Sequence, residues 1–341
     1  DYNTKIDFIK YGLFLKSNST FIDDKLGVSL GVRIDQDNFT QENNIFENIS
    51  PRLALSLIIS EDKKWKFNFA TGRYFKIPTY TSLGFKNFDN VFLNKSSKYT
   101  RSDHVVGGFE FNWTESSRFT FEAFYKKYNN YPVSKIDGVS LANKGADFEV
   151  LGNEEILTIG KGKSYGLEFL YQQKLKDNFY GILSYTFFYS KFSGLDKIYL
   201  PSVWDNRHLL SFTGGYKLKK NWELSTKIRF TGKTPYSPVD IVSSTQSYPE
   251  IIFDYSQLGN YYLNDFTKLD VRIDKRWNFK STSMNFYIDV ENLLMDEIPV
   301  PPEYGLQRDG NLNIVNPRNL IEVISDNRTS LIPSIGFVFD F

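Results

Sequence analysis

Cysteine is absent from the 341 residues, and histidine and methionine occur twice each. Without thiols there are no disulfides and no thiolate metal sites. The two histidines, His104 and His208, are isolated in sequence, a poor start for a metal centre. A serine mechanism would need one of them within hydrogen-bond reach of a nucleophile. His104 sits beside Asp103 and near Ser102, but strand neighbours face opposite sides, so the three are not expected to converge as a triad. Neither catalysis nor a cofactor is expected. Also missing is any uncharged apolar run near the roughly 18 residues of a spanning helix. Charge imbalance is missing too: 41 Lys and Arg against 40 Asp and Glu leave a net +1, no electrostatic footprint for nucleic acid. The opening Asp1-Tyr2-Asn3-Thr4 is not a charged segment followed by an apolar one, so the chain reads as a mature form or a piece of one.

What is abundant is aromatic: 31 Phe and 22 Tyr, with a mean hydropathy of only −0.38. The last stretch shows how the two coexist. Ile335, Phe337, Phe339 and Phe341 alternate with Gly336, Val338 and Asp340, a strand with one wholly apolar face. The same pattern recurs about 13 times. Leu53, Leu55, Leu57 and Ile59 make one row; Phe119, Phe121, Ala123 and Tyr125 another; Tyr165, Leu167, Phe169 and Tyr171 a third. Later rows are Leu183, Tyr185, Phe187 and Tyr189, then Met284, Phe286, Ile288 and Val290. Charged residues fall on the opposite faces: Arg33, Glu110, Glu122, Glu168, Lys227, Arg229, Arg272, Asp274, Asp289 and Glu291.

Alternation alone does not say which face meets water. A soluble sandwich hides the apolar face, whereas a membrane barrel turns it to lipid. Three features favour the barrel. Connections alternate between short turns and long loops, the long ones at 36–50, 75–100, 129–162, 231–262 and 293–330. Most strands run to about ten residues, the length of a tilted span rather than of a globular strand. Tyr and Trp end several rows, where amphipathic rings meet headgroups. The expected class is therefore all-β, a transmembrane antiparallel β-barrel in the bacterial outer membrane, with lipid as partner. The first strand is expected at 7–16, followed by a connection at 17–24. Thirteen is odd, and single-chain bacterial barrels close with even numbers. Either the chain is a complete barrel of about 14 strands, a passive porin, or it is the C-terminal part of a larger one.

Several strings resemble a known family when taken in order. They are ISPRLALS at 49–56, ATGRYFKIP at 70–78, HVVGGFE at 104–110, EAFYK at 122–126 and GKSYGLE at 162–168. WDNRH at 204–208, FTGKTPY at 230–236, LDVRIDK at 269–275 and DVENL at 289–293 complete the series. Their sequence resembles the barrel of TonB-dependent receptors of the Bacteroidetes type. The resemblance implies a 22-stranded barrel around a plug domain, of which this chain would be a single C-terminal portion lacking plug and first strands. It implies active uptake of a scarce ligand, a siderophore, metal complex, glycan or peptide, energised by the TonB system. A receptor-like scaffold subunit with lipoprotein or other outer-membrane partners is the alternative. The inward charges would then face the lumen or plug, joined by Asp205 and Arg207 of the matching motif, and Phe337, Phe339 and Phe341 would form the assembly signal. Ligand contacts are expected from the loop aromatics Tyr236, Tyr248, Phe253, Tyr255, Tyr261 and Tyr262, suited to stacking.

Overall fold

The computed structural model describes residues 4–40, 44–145, 151–315, 318–323 and 330–341. Thirteen strands follow one another along a single antiparallel sheet. They are β1 Lys10–Phe21, β2 Leu26–Asp37, β3 Ile49–Ile58, β4 Trp65–Lys76, β5 Thr100–Thr114, β6 Ser117–Ser134 and β7 Ile156–Lys176. The path continues through β8 Phe179–Ser193, β9 His208–Leu218, β10 Trp222–Thr231, β11 Phe266–Asn278, β12 Ser283–Glu291 and β13 Ile332–Asp340. A fourteenth, short strand, Tyr199–Pro201, pairs with the end of β8. Every strand pairs with its sequence neighbours, and β1 and β13 have one partner each, so the described residues form an open wall rather than a closed ring. No helix among them is long and apolar enough to cross a membrane.

The register makes the two faces continuous, because residues directly opposite each other in a sheet share a face. Following one row, Leu15 pairs with Val32, and Val28 with Leu55, Leu55 with Phe69, Phe67 with Phe109 and Phe109 with Phe121. It goes on through Phe121 to Phe169, Phe169 to Tyr185 and Tyr185 to Leu210, and ends with Phe286 opposite Phe337. One face is thus apolar from first strand to last. It is also bare: Leu15 is 73% exposed, Leu30 55%, Phe121 50% and Phe337 59%. Apart from Leu83, Tyr99 and Val133 under the long loops, the fully buried side chains are mostly small or polar, such as Asn48, Asn94, Asp205, Ser134 and Ser202. A soluble protein buries its large apolar groups and hydrates its polar ones, so this wall is inside-out, and an apolar face this extensive needs an apolar solvent.

The ends of the wall differ. At one end the connections are tight: 22–25, 59–64, 115–116, 177–178, 219–221 and 279–282. At the other they are long: 38–48, 77–99, 135–155, 194–207, 232–265 and 292–331. Trp65, Trp113, Trp222 and Trp277 all stand at the tight-turn end, exposed, while Tyr125, Tyr165 and Tyr189 pair across three strands near the long-loop end. Aromatic belts of this kind mark the two membrane interfaces.

Some boundaries differ from the sequence expectation. The first strand is Lys10–Phe21 rather than 7–16, because Ser17, Asn18 and Ser19 pair with Leu30, Ser29 and Val28 despite their polarity. The turn contracts to Ile22, Asp23 and Asp24, all in the left-handed region. Strands β6 and β7 run on past the expected end at 129 and 162, held by a packed aromatic cluster of Tyr128, Tyr131 and Phe192. The long loops also carry structure of their own. Pro235–Tyr236 pairs with Tyr261–Tyr262, and Glu303–Leu306 with Leu320–Val323.

Candidate functional site

The long loops are tied to one another by asparagine side chains. Asn94, 1% exposed, donates through Nδ2 to the Ser82 carbonyl at 2.7 Å and the Glu154 carbonyl at 2.8 Å, while its Oδ1 accepts from the Ile156 amide at 3.0 Å. It thereby clamps loop 77–99 to loop 135–155. Asn143 donates to the carbonyls of Leu200 and Pro201 at 3.2 and 2.7 Å, joining 135–155 to 194–207. Asn206 donates to the Gly232 carbonyl and to Thr234 Oγ1, at 3.3 and 2.5 Å, joining 194–207 to 232–265. An amide side chain carries both donors and an acceptor, which is why it can bridge two backbones at once. The close fit has a backbone signature at Gly152. Its φ of 83° lies in the left-handed region, and a Cβ there would overlap Ser82 Oγ.

Within this rim lies a cavity of about 180 Å³, lined by Lys144, Glu154, Tyr236, Ser237, Phe253 and Tyr255 among others. Lys144 is only 9% exposed. Its ammonium pairs with Asp137 and with Glu154 at 3.0 Å, and stands 5.4 Å from the centre of the Tyr255 ring. Ser237, 8% exposed, has a buried Oγ with no hydrogen-bond partner among the described residues. A buried hydroxyl without a partner is costly unless something arrives to satisfy it. Burial, followed by the charges of Tyr304 and neighbouring groups, pushes the Tyr236 phenol above its ordinary value, so it remains a neutral donor. Pockets for whole small molecules run to about 300–1,000 Å³. This one takes a single ring or side arm, and its three aromatic walls, hydroxyl and buried cation suit a flat polar group.

Of the six loop aromatics expected to meet a ligand, Tyr236, Phe253 and Tyr255 line this cavity and Tyr248, Tyr261 and Tyr262 do not. Tyr261 packs against Tyr236 from outside, ring centres 6.0 Å apart. Lys144 and Ser237 carry no sequence signal of their own, since their role comes from burial.

The expected inward charges share the polar face of the wall. Arg33 Nε is 2.6 Å from Asp35, and Glu110 meets Lys66 at 3.3 Å and Asn112 at 3.0 Å. Arg272 grips Asp274 with two hydrogen bonds of 2.9 and 2.8 Å and lies 3.8 Å over the Tyr287 ring. Asp289 stands opposite Arg272, Lys227 opposite Asp270, and Glu291 accepts from Lys268 at 2.7 Å. Two like-charged pairs stand out: Glu122 faces Glu168, and Arg229 faces Lys268. Like charges directly opposite repel; Lys268 is already answered by Glu291 and Asp270, whereas Glu122 and Glu168 have no ion pair among the described residues, so that position suits a complementary group from outside the wall.

Asp205 and Arg207 depart from expectation. Neither is on the polar face of a strand. Asp205 is fully buried in the connection before β9, accepting from the Ser190 amide at 3.2 Å and pairing with Arg207 at 3.3 Å. Burial pushes its carboxyl above the usual carboxylate range, against the pull of Arg207. Arg207 has a φ of 65°, which turns its side chain to the apolar face, where the guanidinium covers the Tyr189 ring at 3.9 Å. Ser102 and His104 do meet, at 2.6 Å, being two apart on one strand face, while Asp103 lies on the other with Arg73 and Arg101.

A twisted antiparallel wall with a lipid-compatible outer face, tight turns at one end and large loops at the other defines an outer-membrane β-barrel. Residues 1–293 match the family model described as TonB dependent receptor-like, beta-barrel, and the chain belongs to that family and to the outer membrane. No curated protein sequence matches it. Among solved structures it is similar to the ferric citrate transporter FecA (12% identity, TM-score 0.60, covering 97% of this chain and 45% of that one). It is similar also to the outer membrane transporter YddB from Escherichia coli (11%, 0.59, 97% and 45%). The pyoverdine receptor FpvA from Pseudomonas aeruginosa is comparable (14%, 0.59, 94% and 43%). The chain spans less than half the length of these proteins.

Proposed function

We propose that this chain is the C-terminal wall of a 22-stranded TonB-dependent receptor, of the Bacteroidetes type, that takes up a scarce ligand through the outer membrane. The observation that carries the reading is the loop cavity, where Lys144, Ser237, Tyr236, Phe253 and Tyr255 converge on a space that no described residue fills. The relatives named above include a ferric citrate transporter and a pyoverdine receptor, and a siderophore arm, sugar ring or peptide side chain has the dimensions for this cavity. The opposed pair Glu122 with Glu168 is offered to a plug domain of complementary charge. The remaining strands would add to the free edges of β1 and β13. Phe337, Phe339 and Phe341 present the terminal aromatic row that the assembly machinery reads. A passive 14-stranded porin finds no support in a sheet whose ends stay apart.

The test uses the full reading frame, expressed in a strain that depends on it. Uptake of radiolabelled ferric siderophores, and of oligosaccharides and peptides as separate panels, is measured with and without a working TonB system. Tyr255→Ala should lower uptake of the true ligand about tenfold through loss of stacking, and Ser237→Leu, which fills the cavity, should do the same. Uptake that ignores both substitutions removes the cavity as the site. A receptor that imports nothing in either background supports the scaffold reading instead.

A further inference from the structure

The outward face of the wall changes character just beyond its tyrosine row. On β6, β7 and β8, Tyr125, Tyr165 and Tyr189 stand opposite one another, with ring centres 6.3 and 5.2 Å apart. Two residues nearer the long loops on each strand, Lys127 faces Lys163 and Lys163 faces Lys191. Two residues span about 7 Å of strand. The same row extends to Asp103 and Arg73 on β5 and β4, and Arg101 and Lys161 stand one step beyond it on the same face. Arg207, turned outward over Tyr189, completes the patch.

Carboxylates answer few of these cations. Asp103 takes Arg73 at 2.7 Å and Arg101 at 3.1 Å, and buried Asp205 takes Arg207. Lys127, Lys161, Lys163 and Lys191 have no ion pair among the described residues. Lysines placed directly opposite each other across strands repel, and the one contact that offsets this is the Lys163 ammonium 4.8 Å from the centre of the Tyr199 ring. On the inner face at this height the rings of Tyr128 and Phe192 pack together 5.2 Å apart, so the polarity of the two faces is reversed here. Below the row, the apolar face holds a cleft of about 790 Å³ lined by Leu15, Leu30, Val32, Leu53, Val105 and Tyr125, with Arg73, Asp103 and Lys127 at its rim.

A lysine row without carboxylate partners, immediately above an aromatic belt, lies at the headgroup level of the leaflet on the long-loop side. A cleft for alkyl chain opens beneath the Lys127 end of that row. We propose that this patch binds a membrane lipid whose headgroup carries phosphate groups, with the phosphates on Lys127, Lys163 and Lys191 and an acyl chain in the cleft. The lipid would neutralise the lysine row and fix the orientation of the wall in the outer leaflet. This inference goes beyond the uptake reading and does not depend on which ligand the loops take.

The experiment measures binding of fluorescent bis-phosphorylated lipid A to the detergent-purified protein expressed from its full reading frame. Each lysine near an anionic surface contributes roughly fivefold, so K127Q/K163Q/K191Q should bind about 100-fold more weakly. The triple arginine variant should bind like the parent. Lipid A stripped of phosphate should bind no better to the parent than to the triple glutamine variant. Equal binding of both lipids, or parent-like binding by the glutamine variant, overturns the proposal. Inorganic phosphate that competes as well as the lipid overturns it also, by making the site one for a free anion. If the glutamine variant fails to assemble, the salt dependence of the parent decides. Affinity should fall steeply with ionic strength, and salt-independent binding refutes the lysine row as the recognition element.

Discussion

Replacing Asn94 by alanine tests whether the long loops form one rigid rim. The substitution removes three hydrogen bonds at a fully buried position. The Ser82 carbonyl keeps a second donor, the Phe85 amide at 3.2 Å, so two groups are orphaned, the Glu154 carbonyl and the Ile156 amide. At about 1–3 kcal/mol for each unsatisfied buried group, and with water able to enter the space vacated, local stability should fall by about 3 kcal/mol. That is roughly two decades in the opening equilibrium. Hydrogen–deuterium exchange of the protein expressed from its full reading frame, in nanodiscs, reads it directly. The peptide containing Ile156 should exchange about 100-fold faster, and segment 77–99 should lose protection with it, while β10 and β11 stay unchanged. Protection at Ile156 within twofold of the parent would refute the clamp and with it the idea that the cavity has fixed walls.

Other perturbations follow from single contacts. Arg272→Ala removes both hydrogen bonds to Asp274 and the cover over Tyr287, and should lower the urea resistance of the assembled barrel by about 1–2 kcal/mol, read from its heat-modifiable gel band. Gly336 lies beneath the Tyr287 ring, so Gly336→Val should displace that ring and loosen β13; a variant that assembles and resists urea like the parent would contradict this. Asp240 caps the helix Ile241–Ser247, and its hydrogen bonds from the Ser243 hydroxyl and amide hold its carboxyl below the ordinary 3.8. A depressed carboxylate stabilises the folded form above its unfolded value and loses that contribution as pH falls through the folded one. Protection of the Ser243 amide should therefore be constant from pH 7 to about 5 and fall at lower pH, and Asp240→Asn should abolish the pH dependence. Deleting Phe341 should reduce the assembled fraction in outer membranes, and a full yield of heat-modifiable barrel would exclude a signalling role for that row.

The wall was legible because its physics is local. Side-chain alternation has period two in any strand, so rows such as Leu53, Leu55 and Leu57 or Phe119, Phe121 and Ala123 reveal faces without knowledge of their partners. All thirteen main-sheet strands left that trace. Where it failed, the cause was a neighbour. Ser17 to Ser19 look like loop, yet are strand because β2 supplies their hydrogen bonds. The loop site was half legible. Aromatics in the segment at 231–262 flagged Tyr236, Phe253 and Tyr255, but nothing in the sequence separates them from Tyr248, Tyr261 and Tyr262, which differ only in where the loop folds. Lys144 comes from a different loop, and Arg207, expected in the lumen from its motif alone, lies instead over Tyr189 on the apolar face, with a positive φ that no motif signals.

Which face of the wall meets lipid is directly measurable, because the sequence has no cysteine to interfere with labelling. Single cysteines at Leu55, Phe187 and Phe286 on the apolar face, and at Asn68, Glu168 and Arg272 on the polar face, are spin-labelled in the protein expressed from its full reading frame and reconstituted in bilayers. The first three should be relaxed by dissolved oxygen and shielded from a water-soluble nickel chelate. The polar-face labels should be shielded from oxygen relative to them. Apolar-face labels that respond to the nickel chelate more than to oxygen would contradict the lipid-facing wall and everything built on it.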